Sequence, residues 1–110
     1  MLIKNIDLVK AVNGLVSFRK ECTVTFPVPL AHKINRNIKK LISEVEPYEE
    51  DRQLIMSENI SDSEQEKKIT ELLNCETDIQ LTPIFLKELS DFNLTINQMD
   101  VLDIMLKEDD

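Results

Sequence analysis

The densest set of side chains able to do chemistry is the run of carboxylates Glu44, Glu46, Glu49, Glu50 and Asp51. A hard cation wants several oxygens converging on one point. On a helix, Glu46 and Glu50 share a face while Glu49 and Asp51 point elsewhere. No D-x-D-x-D-G loop is present to gather them. The pattern therefore predicts a solvated acidic face and no metal site. Crowded like charges cost about a few tenths of a kcal/mol per helical pair. A basic partner would offset that cost, which makes Glu46, Glu49, Glu50 and Asp51 the candidate protein-binding residues.

The remaining reactive groups point away from catalysis. His32 is the only histidine, and nothing near it forms a nucleophile–base pair. The sequence contains neither H-E-x-x-H, G-x-S-x-G nor a phosphate-loop motif. A non-enzymatic protein without a cofactor is expected. Cys22 and Cys75 stand 53 positions apart, too far for a C-x-x-C redox or zinc motif. Two reduced thiols, one or both buried, are expected. The basic set Lys33, Arg36, Lys39 and Lys40 could touch phosphate but lacks interleaved aromatics. It reads as a solvated face, partly neutralised by Glu44 four residues after Lys40. Met99 and Met105 are expected to pack in the core.

Charge is divided unevenly. Residues 1–40 carry eight Lys/Arg and two acids, a net of +6, while residues 41–110 carry five basic and nineteen acidic residues, a net of −14. A chain with a total of −8 is repelled by phosphate backbones, so nucleic-acid binding is disfavoured unless the basic part stands apart in space. A basic helix packed on acidic ones would explain the asymmetry within the fold. An acidic surface could also imitate nucleic acid in a nuclease's groove. The 110 residues make one domain, 1–110, with 42% hydrophobic residues for a core. The longest apolar run, Phe26 to Ala31, includes two prolines and cannot span a bilayer. The first seven residues carry no basic start leading into an apolar stretch, so no secretory leader is expected.

Hydrophobic spacing supplies the elements that would position these groups. Leu2-Ile3 reads as a short strand. Leu8, Val9, Val12, Leu15 and Val16 form one face of a helix over Asp7–Lys20, capped by Asn5 or Asp7. Gly14 in its middle costs about 1 kcal/mol relative to Ala and would admit a close helix neighbour. Thr23–Phe26 reads as an extended connector or edge strand, and Pro29 suits the start of a helix. Ile34, Ile38, Leu41, Val45, Tyr48, Arg52 and Ile55 then recur at heptad-like spacing. They predict a helix over Pro29–Glu58, about 45 Å long, kinked where Pro47 removes the bond to Ser43's carbonyl. That helix would be one arm of a helical hairpin or an oligomer seam.

Ser61 with Glu64, or Ser63 with Glu66, fits a capping box ahead of a helix ending near Asn74. Thr77, Ile79 and Leu81 alternate with polar residues, so Cys75–Thr82 reads as a half-buried strand that must pair with the N-terminal or 23–26 segment. Phe85–Asp91 reads as one or two helical turns. Thr95 with Gln98 opens a last helix carrying Met99, Val101, Leu102, Ile104, Met105 and Leu106, with a fraying tail at Glu108-Asp109-Asp110. The fold class is α+β, predominantly α-helical: a long kinked central helix in a helical hairpin with a small two- or three-stranded antiparallel sheet.

The order of these segments carries a resemblance. Phe26-Pro27-Val28 leads into Leu30-Ala31-His32-Lys33-Ile34-Asn35-Arg36-Asn37-Ile38, followed by Glu46-Pro47-Tyr48-Glu49-Glu50-Asp51-Arg52 and Glu76-Thr77-Asp78-Ile79. The chain resembles a family of small uncharacterised proteins, a domain of unknown function, from tailed phages and prophages of Gram-positive bacteria. The resemblance implies a continuous central helix, from which Pro47 departs, and no catalytic residues. It implies phage origin and a small accessory role; the host bacterial cytoplasm is the expected location and another protein, of host or phage, the expected partner. A modulator or inhibitor of a host protein such as a defence nuclease is expected. The alternatives are a virion or tail-assembly accessory protein, or a nucleic-acid-binding regulator using the basic half.

Overall fold

The computed structural model describes residues 1–107 and is an α+β fold, mainly α. The chain runs β1 (Leu2–Lys4), α1 (Asn5–Glu21), α2 (Val28–Ser57), α3 (Asp62–Asn74), β2 (Glu76–Asp78) and β3 (Ile84–Phe85). It continues through α4 (Leu86–Leu89), α5 (Ile96–Leu102), a 3-10 turn at Asp103–Met105 and β4 (Leu106–Lys107). The fraying expected at Glu108-Asp109-Asp110 lies outside the described residues.

The heptad-like seam makes α2 the spine. Leu30, Ile34, Ile38, Leu41 and Tyr48 are buried along it. All of these but Tyr48 join one core with Leu8, Leu15 and Phe18 of α1 and with Ile79, Ile84, Leu89, Leu102 and Met105 from the second half of the chain. Val45, expected inside, is only half-buried, because it borders a surface depression that α3 does not cover. Arg52 is exposed and Ile55 half-buried, so the seam weakens towards its far end. The helix continues through Pro47. Pro47 and Ser43 are both exposed, so the carbonyl that lacks an amide partner faces water.

Short polar bonds join the helices. Ser61 Oγ accepts from the Glu64 amide at 3.2 Å and starts α3, which returns along α2 as the second arm of a hairpin. Asn5 does not cap α1 as expected. Its side chain is buried and donates to the Leu72 carbonyl at 2.8 Å, while its amide donates to Cys75 at 2.9 Å. The start of α1 is thereby tied to the end of α3. α5 packs over Gly14, but a Cβ there would meet Val101 Cγ2 at 3.4 Å, an ordinary van der Waals contact, so the approach does not depend on glycine.

β1 and β2 pair antiparallel, with Leu2 opposite Asp78, Ile3 opposite Thr77 and Lys4 opposite Glu76. The expected strand over Cys75–Thr82 thus takes the N-terminal partner, and the 23–26 segment is an extended connector. The alternation holds further than the ladder does, with Ile79 buried and Gln80 exposed. Ile79 still donates to the Met1 carbonyl at 2.8 Å. At Thr82 the pairing passes to a side chain. The buried Asn37 of α2 accepts from the Thr82 amide and donates to its carbonyl, both at 2.8 Å, with Met105 Sδ 3.6 Å from the same Nδ2.

The C-terminal region corrects the expected last helix. Thr95 and Gln98 form the reciprocal capping box, at 3.1 and 2.9 Å. Yet α5 stops at Leu102, and Leu106–Lys107 turns into β4, parallel to β3 with Ile84 opposite Leu106. Pairing of Leu106 and Lys107 with β3 is incompatible with a helix continuing through them.

Leu41 has no exposed surface at the centre of this packing. Leu41→Ala is expected to lower unfolding free energy by about 2–5 kcal/mol, as read by urea denaturation. A loss under about 1 kcal/mol would mean that the seam is not the centre of the core.

Candidate functional site

The molecule is elongated, with principal extents of 54 × 29 × 22 Å. Its radius of gyration is 16.6 Å, against about 13 Å for a compact domain of this size. The length comes from α2, whose thirty residues span about 45 Å. Beyond Tyr48 none of its residues is buried, and neither is any residue of α3. The far half of the α2–α3 hairpin is therefore an arm projecting from a packed base. Lys68 Nζ meets Glu58 Oε2 at 2.6 Å and Gln65 Nε2 donates to the Met56 carbonyl at 3.3 Å, holding the two helices together near the tip. The Glu58 bond and charge raise the Lys68 pKa.

All four predicted site residues lie on this arm and all are exposed. Glu46, Glu49 and Glu50 come together around one depression with Ile42, Val45 and Gln53, so Glu49, expected to point elsewhere, joins the other two because it is three residues from Glu46. Asp51 does not join them, because one residue further along a helix turns it about 100° away. Glu50 also borders a second hollow with Gln53, Leu54 and Ser57. Leu54 is 63% exposed and Met56 50% exposed, so the acidic surface is interrupted by large apolar side chains. Sequence reasoning missed Leu54. The signal was present, since Glu46, Glu50 and Leu54 recur at four-residue spacing and share a face, while neighbouring Ile55 was assigned to the seam.

Among the described residues, none of Glu46, Glu49, Glu50 or Asp51 has an ion-pair partner, and no group of three His, Cys, Asp or Glu is placed to hold a metal. The arrangement presents uncompensated negative charge beside apolar surface.

The basic set is divided. Lys40 pairs with Glu44 at 3.5 Å within α2, and Lys33 reaches Glu88 at 2.9 Å. Arg36 and Lys39 are exposed and, among the described residues, unpaired. Lys33–Glu88 is the one side-chain pair among the described residues that joins a basic group of the first forty positions to an acid beyond them on another element. Neutralisation within the fold thus covers little of the charge asymmetry. His32 is exposed. Cys22 and Cys75 are free thiols; Cys22 is half-buried and Cys75, at the end of α3, is exposed, so neither is a core residue. Met105 is buried and Met99 packs against the core. No helix among the described residues is long and apolar enough to cross a membrane.

No protein-family model matches the chain, and no curated protein or solved structure matches it.

Glu88 links the basic half to the C-terminal region. Its Oε2 accepts from the Phe85 amide and its Oε1 from Lys33 Nζ, each at 2.9 Å. These bonds, the backbone one foremost, hold its carboxyl below the usual carboxylate range. A depressed pKa contributes stability that is complete above the unfolded value and lost as pH falls through the folded one. Glu88→Gln is expected to be less stable than the parent at about pH 7, with the gap narrowing as pH falls through and below the ordinary carboxylate range. Urea denaturation across that range measures it, and a gap independent of pH would exclude a charge-dependent contact.

Proposed function

We propose that this is a non-enzymatic interaction protein that docks the projecting arm, through Glu46, Glu49, Glu50 and Leu54, against a basic surface of another protein. The observation carrying this reading is a set of three carboxylates, without ion-pair partners among the described residues, around one exposed depression of the arm, with the large apolar side chain of Leu54 in the adjoining hollow that Glu50 shares. Apolar contact supplies affinity once water is excluded. The carboxylates steer the encounter and reject acidic surfaces, raising the association rate more than the final affinity. Asp51, turned off this face, contributes only to the long-range field.

The resemblance to small phage proteins supports a setting for that activity. We place the protein in an infected bacterial cytoplasm, acting on a host protein whose surface is basic, such as a defence nuclease. An acidic arm fits a groove built for phosphates. A role as a virion or tail-assembly accessory would use the same arm on a phage partner.

The partner is to be isolated by pull-down from infected and uninfected host cells and its binding followed kinetically. Replacing Glu46, Glu49 and Glu50 together by Lys is expected to slow association at low salt by about tenfold or more, with a much smaller effect for Asp51→Lys. Leu54→Ala should chiefly raise the dissociation rate. An unchanged association rate in the triple variant would overturn the reading. Binding to nucleic acid that weakens steeply with salt and depends on Arg36 and Lys39 would replace it with the regulator alternative.

A further inference from the structure

At the opposite end from the arm, the last turn of α1, the 22–27 connector and the first half of α2 enclose a hollow of about 170 Å³. Its floor is made by the buried side chains of Phe18, Ile34 and Ile38. Half-buried Cys22, Val24 and Phe26 form a wall, and Phe26 is braced by an edge-on contact with Phe92 at 5.0 Å between centroids. A fully enclosed apolar cavity of about 150 Å³ accepts benzene; this hollow has a similar volume but opens to solvent, so a ring would rest on it with one side exposed. The size and lining therefore suit one aromatic ring or a short alkyl chain.

The mouth is not apolar. Arg19 lines it from α1 and Asn35 from α2. Neither has an ion-pair or side-chain hydrogen-bond partner among the described residues. No carboxylate lines the hollow; Glu21, the nearest acid in sequence, borders a different hollow with Gly14 and Asn97. Ala31, at the same mouth, belongs to the first turn of α2, which carries no acid against its N-terminal dipole. Arg19 thus brings to the lining a guanidinium without an ion-pair partner among the described residues, and a guanidinium selects a planar anion by a charge-assisted bond.

We propose that this hollow binds a small organic carboxylate with a single aromatic ring or short alkyl body, the body resting on Phe18, Ile34 and Ile38 and the carboxylate on Arg19, with the Asn35 amide as a second donor. The site is remote in sequence from Glu46, Glu49 and Glu50, so it stands or falls independently of the arm.

The two thiols provide a built-in comparison, because Cys22 lines the hollow and Cys75 does not. Phenylacetate is the probe and phenylacetamide its uncharged counterpart. Saturating phenylacetate is expected to slow iodoacetamide alkylation of Cys22 several-fold, read by peptide mass spectrometry, and to leave Cys75 unchanged. Arg19→Ala, at an exposed position, should raise the phenylacetate Kd by about tenfold and leave phenylacetamide binding as it was. Ala31→Leu, also at an exposed position, should obstruct the mouth and remove the protection. The proposal is overturned if Cys22 alkylates equally fast with and without phenylacetate. It is also overturned if phenylacetamide protects as well as phenylacetate, or if Arg19→Ala does not weaken carboxylate binding.

Discussion

A buried amide holds together the parts of this chain that helical packing alone would leave apart. Helices satisfy their own backbone groups, whereas an extended segment laid on a helix has amides and carbonyls with no ladder to join. Asn37 meets that constraint for Thr82 by accepting its N–H and donating to its C=O, as a neighbouring strand would. Its second Nδ2 hydrogen is directed towards the sulfur of Met105. One side chain on α2 thus fixes the extended segment leading to β3 and abuts the turn leading to β4. Thr82 is half-buried, so its amide and carbonyl have limited access to water in place of Asn37.

This fastening explains the division of the molecule into a base and an arm. The N-terminal half of α2 is surrounded by α1, the 79–85 segment and the C-terminal turns, and its inward side chains are buried. In the other half burial ends at Tyr48, and α3 runs beside it. Leu54 and Met56 stay exposed there because no further element reaches them. The same division separates the charges, with Arg36 and Lys39 on the base end of α2 and Glu46, Glu49 and Glu50 on the arm.

What was legible in the sequence was whatever is encoded by local spacing. The seam from Ile34 to Tyr48, the Ser61 and Thr95 caps and the alternation around Ile79 each follow from periodicity or side-chain chemistry within a few residues. What was not legible depended on distant partners. Asn37 and Asn5 look like ordinary helix and cap residues until Thr82 and Leu72 are brought beside them. Met105 and Leu106 continue a helical pattern, yet the core takes Met105 and β3 takes Leu106 into a parallel pair that only tertiary structure creates. For the site, four acids within six residues were visible as a cluster, but helical geometry separates Asp51 and places Leu54 beside Glu50.

The role of Asn37 is tested most directly by amide hydrogen exchange at Thr82. If the Asn37 side chain stands in for a strand, the Thr82 amide should be protected as strongly as the core amides of α2, opening only with global unfolding, and Asn37→Ala should remove that protection selectively. Exchange of the Thr82 amide in the unmodified protein at the rate of a solvated loop would contradict it.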